Sequence, residues 1–259
     1  MCCAMLTSCG EYQRLLKSND LNAKFEYAKK AYAEKRYVQA STLLSDIVGV
    51  MKGSSNAEEA LYLLGMSYYE NKDYPNSGVV FKQYYSRYPK GQYAEQARFY
   101  CGYGYYHESP DPQLDQSDTM KAIEELQGFL DYFPTSDMAP QAQEAIFELQ
   151  DKLTLKELQS AQLYYNLGNF MMQNNYESAI VVAKNAIKTY PYSKYKEDLE
   201  LLILKSLYQE ARQSISEKKV DRYRDVLDEY YSYVNNYPDS PNRDEVERIA
   251  AIARSYVND

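Results

Sequence analysis

The chain has 259 residues, with 29 basic and 37 acidic side chains, a net charge of −8 and 45% hydrophobic residues. That length and apolar fraction fit one large or two small domains with real cores and exclude a disordered chain, while the acidic balance argues against a nucleic-acid partner. Tyrosine is the odd component: 30 Tyr stand against 7 Phe and no Trp, and His107 is the only histidine, which nearly removes His-based catalysis and His-rich metal sites.

The charge is uneven. Residues 1–57 carry 8 basic and 5 acidic side chains, so a net of +3 precedes a body of −11. Three of the four cysteines, Cys2, Cys3 and Cys9, fall in the first nine residues, which is no disulfide framework. The stretch Met5-Leu6-Thr7-Ser8-Cys9-Gly10 resembles a bacterial lipobox, an aliphatic residue and two small residues before the cysteine. That resemblance implies lipidation at Cys9. The leader is short for such a signal, with eight residues and no Lys or Arg before the cysteine. Residues 1–20 are expected to be signal remnant and tether. No later segment approaches the ~20 apolar residues of a membrane span, so the expected membrane contact is a lipid anchor only. Gly10 after the cysteine resembles signals that direct lipoproteins to the outer membrane, and the expected face is periplasmic.

From Leu21 onward the pattern is helical and repeated. Tyr88-Pro89, Phe133-Pro134, Tyr190-Pro191 and Tyr237-Pro238 each close an apolar pattern of helical period. Aligned on proline, they give a register of about 34 residues, which resembles the tetratricopeptide module. The first repeat keeps Ala28, Tyr37, Ala40 and Leu44. The second is clearest, with Leu64, Gly65, Tyr68, Tyr74, Ser77, Phe81 and Pro89 in register. Small residues at Gly65 and Ser77 let two helices approach, and large ones fill the space between them. The third has Cys101, Gly102 and Tyr105, then a Pro/Asp-rich loop, ESPDPQLDQSD, before Ala122, Phe129 and Pro134. Residues 141–167 lack Pro and Gly and read as an extra helix running into the fourth repeat, which keeps Leu167, Gly168, Tyr176, Ala179, Ala186 and Pro191. The fifth keeps Tyr223, Tyr230, Tyr233 and Pro238, with a degenerate first helix. Arg243 to Tyr256 reads as a capping helix. The expected fold is all-α, a tetratricopeptide-repeat superhelix of about five helix pairs, with N-terminal repeats over 21–137 and the linking helix, later repeats and cap over 138–259.

Five such repeats behind a lipobox, with the DQSDTMKAI entry to the third repeat and FLDYFPTSDMAPQAQEAIFELQDKLTLKELQSAQLYYNLGNF after it, resemble the YfiO-type lipoproteins, the BamD-type outer-membrane assembly factors. The resemblance covers nearly the whole chain after Cys9. It implies a non-enzymatic protein without a cofactor. It also implies two partners: the periplasmic domains of BamA and unfolded outer-membrane β-barrel proteins, whose C-terminal segments end in aromatic residues. The rival reading is a periplasmic tetratricopeptide adaptor for peptidoglycan or cell-division machinery.

Inner-face positions of the first helices of repeats one to three are Phe25, Lys29 and Tyr32; Tyr62, Met66 and Tyr69; and Phe99, Tyr103, Tyr106 and His107. Such a lining suits an extended peptide with aromatic side chains, because tyrosine offers contact area and a hydroxyl at low entropy cost. Lys29, with Lys30, Lys35 and Arg36 nearby, would attract a C-terminal carboxylate. Equally, helix-spaced aromatics serve as core. Candidate contacts to BamA are Lys194, Lys196 and Asp198 after Pro191, and Arg222 and Arg224 in the run DRYRDVLDE. Chemistry is sparse elsewhere. Glu58-Glu59 and Glu124-Glu125 read as solvated, Gly102-Tyr103-Gly104 is no phosphate loop, and Cys101 and His107 lie about 240° apart on a helix. No Cys/His spacing fits zinc. Cys101 is expected to be a small buried hydrophobe.

Overall fold

A computed structural model describes residues 4–170 and 173–257, with side chains from Gly10 onward. Among the described residues there are twelve helices and no strand. They are α1 (Ala4–Leu16), α2 (Leu21–Ala33), α3 (Tyr37–Ile47), α4 (Ala57–Glu70), α5 (Tyr74–Arg87), α6 (Ala94–Glu108), α7 (Ser117–Tyr132), α8 (Ala139–Leu167), α9 (Asn175–Thr189), α10 (Lys196–Arg212), α11 (Ser216–Asn236) and α12 (Arg243–Val257). The prolines punctuate as expected. Helices α5, α7, α9 and α11 each end two residues before Pro89, Pro134, Pro191 and Pro238, because the residue before a proline is driven out of the helical region. Starts are capped by side chains: the Asp20 carboxylate accepts the Ala23 N–H at 2.9 Å, and Asp73 and Asn174 cap α5 and α9 in the same way.

The helices form two compact units. The first holds residues 1–110 and 114–149, the second 111–113 and 150–259. In the first unit, consecutive helices from α2 to α7 pack as pairs. Gly65 permits the close α4–α5 approach: a Cβ there would lie 2.6 Å from the Phe81 ring, and the Ser77 hydroxyl donates to the Gly65 carbonyl at 3.1 Å. Phe25, Leu43, Leu44, Leu61 and Phe81 fill one core, and Phe99, Leu126, Phe129, Ile146 and Leu149 a second. That second core carries the unit past the expected boundary at 137/138, because Ala142, Ala145, Ile146 and Leu149 of α8 bury against the third repeat.

The second unit takes the rest of α8, then α9 to α12. The extra mid-chain helix and the first helix of repeat four are one continuous helix of 29 residues, ended by Gly168 at φ +55°. The fifth repeat has a full first helix, α10, of 17 residues, ahead of the register counted back from Pro238. It looked degenerate in sequence because α11, at 21 residues, outgrows the module. Val226, Tyr233, Val246 and Ala250 bury α12 as a cap. The described part of the expected tether, residues 10–16, is helical, and Leu15 is buried against the first repeat with Tyr12 stacked on Tyr27.

A recurrent clamp fastens the turns. Glu58, the second residue of α4, accepts the Tyr84 hydroxyl at 2.5 Å and the Gln92 N–H at 2.6 Å, while the Tyr93 N–H donates to the Tyr84 oxygen at 3.0 Å. Glu197, the second residue of α10, accepts from the Tyr233 hydroxyl at 2.9 Å and from Ser240 at 2.6 Å. Asp151 on α8 holds the α9–α10 turn through the Ser193 hydroxyl and the Lys194 N–H. At helix starts, the two glutamates also meet the positive end of the dipole. In α6, Glu95 takes the same place, but Phe129 stands where Tyr84 and Tyr233 stand and has no hydroxyl to offer.

Candidate functional site

The first unit carries one continuous aromatic face. Helix periodicity places Tyr100, Tyr103 and His107 on one side of α6, and α4 brings Tyr62 and Tyr69 beside them. Tyr69 meets Tyr100 at 4.8 Å and Tyr74 at 5.3 Å between ring centres. His107 stacks on Tyr74 at 5.1 Å and meets Tyr103 edge-on at 4.9 Å, and Tyr103 stacks on Tyr106 at 5.0 Å. Tyr32 joins from α2, edge-on to Tyr37 at 5.5 Å, and Tyr62 stacks on Tyr93 at 4.2 Å. These separations lie in the range that favours aromatic pairs.

The sequence-derived residues divide. Tyr32, Tyr62, Tyr69, Tyr103 and Tyr106 are half-buried, and His107 is exposed. Phe25, Met66 and Phe99 are buried, at 1%, 6% and 2% exposure, and form the backing of the face rather than its surface. Tyr37 and Tyr74, read from sequence as architecture, belong to the face as well. Tyr93 and Tyr100 were missed. Tyr100 was within reach of the argument, since it lies three residues before Tyr103 and seven before His107 on one helical side.

Tyr32, Tyr62, Tyr69, Tyr106 and His107 are uncharged at physiological pH. Burial holds the Tyr62 and Tyr69 hydroxyls far above their ordinary range and pushes Tyr32 up to about 12. Tyr106 is pushed up to about 12, first by donating to Glu148 of α8 and then by burial. His107 is held below its ordinary value by burial and then by Lys72, so its imidazole is uncharged. Protonated phenols and a neutral imidazole leave rings for apolar contact and hydroxyls for peptide groups.

Lys29 is answered locally. It pairs with Glu26 at 2.9 Å and lies over the Phe25 ring at 4.8 Å. Arg36 is engaged with Glu34 at 2.5 Å and with the Tyr27 hydroxyl at 2.9 Å. Lys30 and Lys35 are exposed.

In the second unit the five candidate contact residues sit in internal pairs or at the surface. Lys194 pairs with Asp151 at 3.4 Å, Lys196 with Glu200 at 3.8 Å, Arg222 with Glu210 at 3.2 Å and Arg224 with Asp221 at 2.6 Å. Asp198 is exposed, its carboxyl raised by desolvation and then by Glu197. In the turn before α10, Tyr192 is 85% exposed near Lys194, whereas Arg222 pairs near the opposite end of α10.

Cys101 is buried as expected, with its sulfur 3.7 Å from both the Gly78 carbonyl and Glu125. Burial, then Glu125, holds its thiol far above the ordinary range. The side chain of Cys9 lies outside the described residues. Among the described residues no cluster of His, Cys, Asp or Glu is placed to hold a metal, and no helix is long and apolar enough to cross a membrane.

Paired helices closed by aromatic-Pro turns, with an aromatic face on the first three pairs, define a tetratricopeptide-type repeat scaffold. The family model YfiO, described as "Outer membrane lipoprotein", matches residues 17–172, which is 156 of the 259 residues. The chain belongs to this BamD-type outer membrane lipoprotein family. No curated protein matches it.

Proposed function

We propose that the chain is a lipid-anchored, non-enzymatic subunit of the outer-membrane β-barrel assembly machinery, facing the periplasm. Cys9 carries the lipid. The aromatic face of the first unit receives C-terminal segments of unfolded barrel proteins, and the second unit docks the periplasmic domains of BamA. The observation that carries the reading is the face itself. Tyr32, Tyr62, Tyr69, Tyr103 and Tyr106 present half-buried rings; Tyr69, Tyr103 and Tyr106 are joined by ring contacts with Tyr74, Tyr100 and His107, while Tyr62 stacks on Tyr93 and Tyr32 meets Tyr37. Such a surface fits an extended segment with alternate aromatic side chains. Family membership supports the setting.

For BamA, the charged candidates are Lys194, Lys196 and Asp198 at the start of α10, where the exposed Tyr192 supplies a ring for a partner to bury, and Arg222 and Arg224 on α11, near the other end of α10. The test of the peptide site is the triple variant Tyr62→Ala, Tyr69→Ala, Tyr103→Ala. It should keep its helical circular dichroism and lose binding to a labelled peptide from a barrel-protein C-terminus. Undiminished binding by the folded variant would sink the proposal.

A further inference from the structure

Between α1 and α2 lies a pocket of about 310 Å3 that the aromatic face does not use. Its floor is apolar: Leu15 and Tyr27 are each 5% exposed. Its rim carries Glu11 and Arg14 from α1 and Glu26 and Lys30 from α2, all four exposed. Each helix thus contributes one acid and one base a single turn apart. Neither Arg14 nor Lys30 forms an ion pair among the described residues, and neither does Glu11; Glu26 pairs with Lys29. The rim sums to zero charge with both signs displayed.

The place of the pocket matters as much as its charges. Glu11 follows Cys9 by two residues in the same helix, about 3 Å along the axis. Were residues 10–20 a free tether, they would let the body stand ~35 Å from an acylated cysteine. Instead α1 is docked on the first repeat, with Leu15 buried and Tyr12 on Tyr27. A lipid on Cys9 therefore brings the bilayer surface to this pocket.

We propose that the pocket binds the phosphoethanolamine headgroup of a bilayer phospholipid. Arg14 and Lys30 hold the phosphate, Glu11 and Glu26 accept hydrogen bonds from the ammonium, and Leu15 and Tyr27 meet the first carbons of the lipid. A trimethylammonium headgroup has no N–H to donate to the glutamates. A headgroup with only negative charge leaves them facing an anion. The proposal rests on the anchoring role of Cys9 for its membrane setting.

The test uses the full chain titrated with dihexanoyl phosphatidylethanolamine below its micelle concentration, read by amide NMR shifts over residues 11–15 and 26–30. Dihexanoyl phosphatidylcholine and phosphatidylglycerol are the comparisons. The ethanolamine lipid should bind about threefold or more tightly than either, and Arg14→Gln and Glu11→Gln should each remove that preference. Equal response to all three lipids, or preference for phosphatidylglycerol, overturns the headgroup assignment. Mass spectrometry of Cys9 from membrane-extracted protein separates the two readings. Selectivity with an unmodified Cys9 supports the pocket and removes the anchoring role; an acylated Cys9 without selectivity does the reverse.

Discussion

Replacing Tyr84 by Phe isolates the turn clamp of the second repeat. Tyr84 is fully buried, so the ring stays packed and only the hydroxyl is lost. That oxygen donates to Glu58 at 2.5 Å and accepts the Tyr93 N–H at 3.0 Å. A hydrogen bond to a charged acceptor contributes about 1.5–3 kcal/mol, and a buried N–H left without a partner costs about 1 kcal/mol more. Because Glu58 keeps the Gln92 N–H and some access to water, the lower half of the sum applies, and Tyr84→Phe should destabilise the first unit by about 2.5–3.3 kcal/mol. At about 2–4 °C per kcal/mol for a chain of this size, the melting temperature should fall by about 5–13 °C. Urea unfolding followed by circular dichroism measures the loss, with an unchanged m-value showing that folded and unfolded states remain comparable. Glu58→Gln should lose less, since an acceptor remains. A Tyr84→Phe protein within about 0.5 kcal/mol of the parent would refute the clamp as a stabilising device, because that is the scatter of neutral surface changes.

The other expectations follow from the same contacts. Phe129→Tyr supplies the hydroxyl that the third repeat lacks opposite Glu95 and should gain about 0.5–1.5 kcal/mol in the same urea assay. Gly91→Ala should lose about 1–3 kcal/mol, because its Cβ would fall 2.3 Å from Glu58 Oε1 and 2.7 Å from the Tyr84 oxygen. Asp46→Ala leaves the ammonium of Lys24, 4% exposed, without its counter-charge and should cost about 3 kcal/mol, less the part that solvent recovers at the exposed side of the pair. His107 has a folded pKa below 6.5, so the unfolded chain takes up the proton first as pH falls. Its contribution to stability is full above about 6.5 and declines as pH drops toward the folded value, which an NMR titration of the imidazole should locate below 6.5. Cys101 should resist a thiol reagent at pH 8 in the folded protein and react only on unfolding, as peptide mapping would show.

How far the chain could be read before its structure was known depended on how local each feature is. Helix period and the aromatic-Pro pairs are backbone and near-neighbour properties. They gave α2 to α9, α11 and α12 their order, and the ends at Arg87, Tyr132, Thr189 and Asn236 follow from the prolines alone. The close approach at Gly65 was equally legible, since only a residue without a side chain fits against Phe81. The paired-helix scaffold and the family resemblance rest on these local signals.

What the sequence left open depends on which helix stands across from which. Periodicity put Phe25, Met66 and Phe99 on the same face as Tyr32, Tyr62 and Tyr69, but neighbouring helices bury the first three and leave the tyrosines half open. Counting from Pro238 missed α10, because a helix of 21 residues shifts the register by an amount that no local spacing records. The stretch after Cys9 read as a tether because Tyr12 and Leu15 gain burial only against α2 and α3, partners that exist only after folding. Sequence determined where the chain turns and which sides of its helices are apolar or aromatic. Tertiary packing decided which of those rings stay available to a partner, since burial is a property of pairs of helices and not of either one alone.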